Sequence, residues 1–141
     1  FIVESLLAAR PNDGMIGEEG AERASTSGIT WVIDPLDGTK EFIKKNDEFA
    51  VCIALIHHQQ PVLGFIFSPV EKKVLMGGQN IPPAISAFDT IALPEQWQFI
   101  ETSPSFNHPL VITGSRSHQA QQETLFQQAL KEFYRNDFAR F

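Results

Sequence analysis

The stretch Trp31–Thr39 reads W-V-I-D-P-L-D-G-T, an apolar run followed by two closely spaced carboxylates. The residues Ile29–Ile33 are rich in β-branched and aromatic side chains, which predicts a buried strand with Asp34 at its carboxyl end. Pro35 disfavours helical geometry at Asp34 and fixes its own φ, so a sharp turn is expected there. The stretch therefore predicts acidic side chains presented by a turn at the end of a strand.

This turn can supply hard oxygen ligands for a divalent cation. The carboxylates of Asp34 and Asp37 and the carbonyl of Leu36 can point into one small space, and such oxygens suit Mg²⁺. Gly38 leaves the backbone approachable, and Thr39–Lys45 is predicted to open a helical turn whose free N–H groups favour a phosphate. A plainer interpretation stays open, because Asp-Pro-x-Asp is also a good type I turn with Asp37 as a helix N-cap.

A second acidic segment lies upstream at Met15–Gly20, where M-I-G-E-E-G ends a short apolar run in carboxylates. A two-metal site needs more oxygen ligands than one turn offers. Two adjacent strands that deliver acids at the same edge of a sheet would supply them. A Glu-Glu pair alone is usually solvated surface, so Glu18 is a metal-ligand candidate through its combination with Asp34 and Asp37.

The order of apolar runs and turns predicts an α/β domain. Phe1–Ala9 has helical spacing and is followed by a strong stop, and residues 21–28 are predicted to be a mobile surface loop. Phe49–His57 and Pro61–Ser68 are predicted to pair as a hairpin. Val74–Met76 is predicted to be a further short strand closed by two glycines.

The chain is expected to contain one lobe and the start of another. Residues 1–104 are assigned to an α+β lobe that carries the acidic segments. The proline-rich stretch from Ile81 to Pro109 is predicted to be an irregular link between this sheet and the second lobe. Residues 105–141 would begin a C-terminal α/β lobe with a strand at Leu110–Thr113 and an amphipathic helix at Gln119–Tyr134.

Composition limits the classes of function. The chain has 141 residues, 43% of them hydrophobic and 20% charged, and a net charge of −6. This is ordinary for a soluble domain, offers no membrane span and argues against a broad surface for a nucleic-acid polymer. A single phosphorylated molecule can still be bound by metal ions and local donors. The single cysteine, Cys52, is predicted to be a buried thiol, and it suits a reducing cytoplasm.

The histidines differ in how well their sequence context suits a binding role. His57 and His58 are predicted to be turn residues, because one strand end without a neighbouring Cys or acid gives poor Zn²⁺ geometry. His118 follows G-S-R-S at positions 114–117, a predicted strand-to-helix turn of the kind that holds ligands in open α/β sheets. His118 could instead be a surface residue at a helix N-terminus, with Ser117 as N-cap.

These residues together carry a family resemblance. Gly17-Glu18-Glu19, followed by a short loop and Trp31–Thr39, resembles the metal-dependent inositol monophosphatase superfamily. The continuation Lys40–Val51 and the segment Val111–His118 look more like its 3′(2′),5′-bisphosphate nucleotidase branch, whereas Leu6–Pro11 would also suit inositol-type members. The resemblance implies a layered α+β sandwich of the sugar-phosphatase type.

The resemblance also implies roles for the acidic residues. Glu18, Asp34 and the Leu36 carbonyl would hold one Mg²⁺, and Asp34 and Asp37 would hold another. Two such ions lower the pKa of a bound water and stabilise the leaving oxygen of an in-line displacement. Thr39 would orient or deprotonate that water, and Asp37 and Thr39 are therefore the expected catalytic residues.

Substrate contacts follow from the same resemblance. The backbone N–H groups of Gly38 and Thr39 would bind the phosphate, and Lys40 would help neutralise its charge. Ser115 and His118 would lie against the nucleoside. The expected substrate-binding residues are Glu18, Asp37, Gly38, Thr39, Lys40, Ser115 and His118.

The expected function is Mg²⁺-dependent hydrolysis of 3′-phosphoadenosine 5′-phosphate to AMP and phosphate. Inositol monophosphatase activity is the rival, and a non-catalytic metal- or nucleotide-binding fragment and a plain structural domain also stay open. By resemblance, an Asp before Phe1 and a Trp-Asp after Phe141 would complete the site, so the chain is expected to be a fragment whose own activity is uncertain. The expected location is the cytoplasm, with peripheral attachment at the inner membrane face as a second option, and the sequence leaves the oligomeric state open.

Overall fold

Eight strands in one mixed sheet make up most of the structure. The computed structural model describes residues 1–20 and 22–101. The helices are α1 Ile2–Ala9 and α2 Thr39–Lys44. The strands are β1 Gly14–Gly17, β2 Glu22–Arg23, β3 Ile29–Asp37, β4 Ala50–His57, β5 Gln60–Ser68, β6 Lys73–Gly78, β7 Ile81–Ala87 and β8 Gln98–Phe99. A large sheet with few helices confirms the predicted mixed α/β class.

The sheet has the strand order β2-β1-β3-β4-β5-β6-β7-β8. β1 and β3 pair in parallel, and every other neighbouring pair is antiparallel. Because parallel strands share a direction, the carboxyl ends of β1 and β3 meet at the same edge of the sheet. Glu18 directly follows β1, and Asp34 and Asp37 lie at the carboxyl end of β3. The topology therefore brings the two acidic segments to the same edge of the sheet.

The two faces of the sheet differ in burial. The buried apolar side chains share one face by strand register: Met15, Ile33, Val74 and Ala84. On the opposite face, Ile16 and Ile66 are 48% and 47% exposed. We call this second face, which carries Ile16, Val32 and Ile66, the open face.

β3 continues through the two carboxylates. It was predicted to end at Asp34 in a sharp turn fixed by Pro35, and that prediction is wrong, because the strand runs on to Asp37. Asp34 pairs with Cys52 and Asp37 pairs with Ala50, so β3 carries one extra residue between these two pairs. Such a bulge tolerates Pro35, which has no N–H to donate to the ladder.

Several predicted elements are confirmed. α1 matches the predicted N-terminal helix, and α2 matches the predicted helical turn after the acidic stretch. β4 and β5 form the predicted hairpin. Its turn residues His58 and Gln59 have φ of 46° and 67°, the positive values that a tight hairpin turn of type I′ requires.

The segment after β1 differs from the mobile loop predicted for residues 21–28. It contains the edge strand β2, which pairs with β1. The backbone N–H groups of Thr26 and Ser27 both donate to the Asn12 carbonyl, at 2.9 and 3.1 Å. Arg23 donates to the Pro11 carbonyl. These hydrogen bonds to residues far along the chain are not visible in a composition rich in Ser, Thr and Gly.

The chain after β5 is also more regular than predicted. β6 includes the two glycines that were expected to close it. The link predicted from Ile81 onward was wrong for the described residues, since β7, two single-turn 3₁₀ helices at Phe88–Thr90 and Pro94–Gln96, and β8 occupy it. The register of β7 shifts between its pairs with Met76 and Gly78, which leaves its prolines outside the regular ladder.

Residues 1–101 form one compact unit. The predicted second lobe at 105–141 lies outside the described residues, and it stays a prediction. Within residues 1–20 and 22–101, neither helix is long and apolar enough to cross a membrane.

Candidate metal and phosphate site

Glu18 and Asp34 are neighbours because β1 and β3 are parallel. Gly17 pairs with Ile33, so the next position in the same register sets Glu18 beside Asp34. The Glu18 backbone N–H donates to the Ile33 carbonyl at 3.1 Å, which continues the ladder by one step. The register thus brings together two carboxylates that are 16 positions apart in the sequence.

The bulge in β3 decides where Asp37 lies. Residues three apart on a regular strand point to opposite faces. Here Asp34 pairs with Cys52 and Asp37 pairs with Ala50. Cys52 and Ala50 are two residues apart on β4 and share a face, so the two aspartates share that face as well. The Cys52 Sγ lies 3.9 Å from the Asp37 Oδ2. Asp34, Asp37 and Cys52 consequently stand together at the end of the open face.

Two local hydrogen bonds shape the backbone between the carboxylates. The Leu36 N–H donates to the Asp34 Oδ1 at 3.0 Å. The Thr39 hydroxyl donates to the Leu36 carbonyl oxygen at 3.0 Å. Leu36 therefore links two predicted site residues, and its carbonyl keeps a second lone pair for another partner.

Gly38 is the N-cap of α2, with a left-handed φ of 86°. A Cβ added there would lie 2.7 Å from the Glu48 carbonyl oxygen, closer than a carbon and an oxygen can approach. Only glycine fits this position. The interpretation in which Asp37 caps the helix is wrong, because the capping position belongs to Gly38.

The electrostatics of the site reflect crowded negative charge. A hydrogen bond shared with Asp34, and the charge of Asp34, raise the pKa of Glu18, and partial desolvation and the charges of Asp37 and Glu19 raise it further. Burial raises the pKa of the Cys52 thiol, and the two aspartates add to that increase. Cys52 is half-buried, not fully buried as predicted.

The chemical type of the oxygen ligands at this site suits a hard divalent cation. They are carboxylate and carbonyl oxygens, and a cation would offset the like charges that raise the pKa of Glu18. Across residues 1–20 and 22–101, no three His, Cys, Asp or Glu side chains are gathered closely enough to hold one ion. Binding of Mg²⁺ would therefore require the three carboxylates to converge.

Other predicted residues fall in different places. Lys40 is exposed on α2, next to Thr39. His58 lies in the hairpin turn, which confirms it as a turn residue. His57 is the last residue of β4 and pairs with Gln60, so its assignment to the turn is wrong. Ser115 and His118 lie outside the described residues.

Sequence reasoning missed two residues near this region. Cys52 was assigned only to a strand, because the register that sets it against Asp34 and Asp37 is not visible in the sequence. Asp13 falls in the stop predicted after the first helix and was given no further role, yet it is 3% exposed and accepts hydrogen bonds from Arg10, Ser27 and Trp31. The spacing of Arg10 and Asp13 is a weak signal that could have suggested the first of these contacts.

An open cavity of about 500 Å³ adjoins the carboxylates. Its walls include Val32, Asp34, Cys52, Ala54 and Ile66, so it runs along the open face away from the acidic end. Apart from Asp34 these lining residues are apolar or weakly polar. The carboxylates therefore stand where an apolar surface meets solvent.

Comparison with known proteins gives the family. A sequence model of the inositol monophosphatase family matches residues 1–140. The chain belongs to the inositol monophosphatase family. Among its relatives in this family, the 3′(2′),5′-bisphosphate nucleotidase CysQ of Salmonella typhimurium is 41% identical over 103 residues, which cover 72% of this chain and 38% of that protein. The protein of the same name from Escherichia coli strain K12 is 46% identical over 72 residues, covering 49% of this chain and 29% of that protein.

A solved structure agrees with this family assignment. The crystal structure of CysQ from Bacteroides thetaiotaomicron, a bacterial member of the inositol monophosphatase family, superposes with a TM-score of 0.71 at 26% identity. The superposition covers 93% of this chain and 53% of that chain. The predicted fold of the inositol monophosphatase type is thereby confirmed. The chain spans well under two thirds of the length of each of these relatives.

Proposed function

We propose that the protein of which this chain is a part hydrolyses a phosphate monoester with the help of Mg²⁺, and that its substrate is 3′-phosphoadenosine 5′-phosphate. The observation that carries the proposal is the register that sets Glu18 beside Asp34 and turns Asp37 to the same face, at one end of the sheet. The likeness to proteins named 3′(2′),5′-bisphosphate nucleotidase supports the substrate. Inositol monophosphate is the rival substrate, since the family model bears that name.

The proposed ligands of the metal ions are the carboxylates of Glu18, Asp34 and Asp37 and the carbonyl of Leu36. Bound Mg²⁺ would supply an activated water and neutralise charge on the phosphoryl oxygens. Thr39 donates its hydroxyl proton to the Leu36 carbonyl, which leaves its oxygen lone pairs able to accept a hydrogen bond from a water. We propose that Thr39 orients the attacking water in this way.

The proposed phosphate contacts lie at the turn into α2. The left-handed Gly38 leaves no side chain over the backbone there, and the N–H groups of Gly38 and Thr39 are the proposed donors. Lys40 would add a positive charge from its exposed position. We propose that Ser115 and His118 contact the nucleoside, on the sequence resemblance alone.

The test is phosphate release by a protein that contains this chain with its flanking sequence. The purified protein would be assayed with 3′-phosphoadenosine 5′-phosphate and, separately, with inositol 1-phosphate, each with Mg²⁺ and with a chelator. We expect Mg²⁺-dependent release, faster from the nucleotide. Release from inositol phosphate alone would favour the rival substrate, and release from neither by a folded protein would favour a non-catalytic fragment.

Substitutions test the assigned ligands. Asp34→Asn and Asp37→Asn keep the size of the side chain and remove its charge, and each should abolish hydrolysis and weaken Mg²⁺ binding while circular dichroism stays unchanged. Asp89→Asn, in a 3₁₀ helix outside the site, is the matched control and should leave turnover unchanged. Retained turnover in Asp34→Asn would contradict the assigned metal site.

We propose a cytoplasmic location, because the single cysteine of this chain cannot form a disulfide within the chain. The comparisons give no support to attachment at the inner membrane face, and we do not propose it.

A further inference from the structure

Asp37 is an exposed side chain at the end of a bulged strand. Its neighbours Pro35 and Leu36 lie in the irregular part of β3, where the ladder to β4 is interrupted. An exposed carboxylate at such a position can rotate about its side-chain bonds, and ordering it costs entropy. Something must favour one orientation if this carboxylate is to meet those of Glu18 and Asp34.

Cys52 is placed to do this. It sits on β4 directly opposite Asp34, and its Sγ is 3.9 Å from the Asp37 Oδ2, within the range of a hydrogen bond from sulfur. β4 pairs on both sides, with β3 and β5, so the thiol projects from a strand fixed by two ladders. The thiol is a weak donor, but the carboxylate is a charged acceptor, which strengthens the contact.

We propose that Cys52 is a positioning residue that holds the Asp37 carboxylate on the open face, beside Asp34 and toward Glu18. The thiol touches neither the metal ions nor the substrate in this proposal and acts through Asp37. The inference rests on the function proposed above, because it assumes that Asp37 is a metal ligand.

Three substitutions separate positioning from packing. Cys52→Ser keeps a donor of similar size, Cys52→Val keeps an apolar side chain without a donor, and Cys52→Ala removes both bulk and donor. The Mg²⁺ affinity of the chain, measured by calorimetry with MgCl₂ alone, should fall roughly three- to tenfold in the Val and Ala variants, the range expected for loss of one weak hydrogen bond. The Ser variant should bind within about twofold of the unmodified chain. Ala54→Val, two residues further along β4 and on the same face, is the matched control and should not change the affinity.

A vibrational measurement tests the contact without any metal. The chain has one cysteine, so its S–H stretching band belongs to Cys52. Donation to a carboxylate weakens the S–H bond, so the band should move to higher frequency in Asp37→Ala and stay in place in Asp34→Ala. An unmoved band in Asp37→Ala overturns the inference, whether or not the chain binds Mg²⁺.

The affinity series gives the second decisive result. Binding as weak in Cys52→Ser as in Cys52→Ala, or unimpaired binding in Cys52→Val, would show a packing role and overturn the inference. Failure of the unmodified chain to bind Mg²⁺ counts against the proposed metal site, and the S–H band then decides the contact by itself.

Discussion

The Trp31 indole Nε1 donates a hydrogen bond to the Asp13 Oδ2 at 3.0 Å. The same carboxylate accepts hydrogen bonds from the Ser27 hydroxyl at 2.7 Å and from the Arg10 guanidinium at 3.0 Å. The Asp13 cluster, formed by Arg10, Asp13, Ser27 and Trp31, thus ties the end of α1 and the segment before β3 to the strand that carries Asp34. It anchors the amino half of β3, while the bulge shapes its carboxyl half.

Trp31→Phe should destabilise the chain by about 1.5–3 kcal/mol, because it removes the N–H that pairs with a buried carboxylate. Trp97→Phe is the matched control: its Nε1 donates to the neutral Ile91 carbonyl at 3.0 Å, and its loss should cost about 0.5–1.5 kcal/mol. Urea unfolding followed by circular dichroism measures both. Equal costs would show that the charge of Asp13 adds nothing to the Trp31 contact.

Asp13 should make stability depend on pH in the acid range. The hydrogen bond from Ser27, with those from Trp31 and Arg10, holds the pKa of Asp13 below its usual value of 3.8 despite the opposing effect of burial. In acid the unfolded chain therefore takes up a proton before the folded chain does, and the free energy of unfolding falls as pH decreases. The stabilisation is complete well above pH 3.8 and is lost as pH falls through the lowered pKa of the folded state.

Asp13→Asn isolates this contribution, because it removes the titrating group and leaves the other carboxylates in place. The difference in unfolding free energy between the two proteins, measured at a series of pH values from about 6 to about 3, should be constant at the upper end and shrink at the lower end. A difference independent of pH would contradict the lowered pKa of Asp13.

Gly38→Ala and Gly20→Ala form a matched pair. Their φ values are 86° and 88°, so each substitution should lower the free energy of unfolding by about 1–2 kcal/mol, the cost of a left-handed alanine. A Cβ at Gly38 would also meet the Glu48 carbonyl at 2.7 Å, whereas nothing lies within 4 Å of a Cβ at Gly20. Gly38→Ala should therefore cost roughly 1–3 kcal/mol more by denaturant unfolding. An equal loss of unfolding free energy in the two variants would show that the backbone near Glu48 shifts to make room for the added Cβ.

Mg²⁺ should stabilise the chain against unfolding if the three carboxylates bind it. At a free concentration roughly 100 times the dissociation constant, a single site adds about 2.7 kcal/mol to the free energy of unfolding. Thermal unfolding with and without MgCl₂ measures this gain, and Asp34→Asn should remove most of it. Glu71→Gln, a surface residue paired with Lys73, is the control and should keep the gain. An equal gain in Asp34→Asn would place the ion elsewhere.

Local sequence patterns predicted most elements of the described fold. The helical spacing of α1, the apolar runs of β4 and β5, and the short turn between them are properties of neighbouring residues, and all were confirmed. The wrong predictions concern segments whose structure depends on contacts with residues distant in the sequence. The pairing of β2 with β1 and the contacts of Thr26 and Ser27 with Asn12 are between partners that no local pattern identifies.

The sequence by itself determined the chemistry available to this protein. It supplied hard oxygen donors at Glu18, Asp34 and Asp37, and a glycine where only a left-handed residue fits. Tertiary structure decided which of these groups meet. The parallel register of β1 and β3 brings Glu18 beside Asp34. One extra residue in β3 turns Asp37 onto the face that carries Asp34 and its partner Cys52. Side chains alternate with a period of two along a strand, so a shift of a single residue reverses the face, and only the pairing of strands fixes that shift.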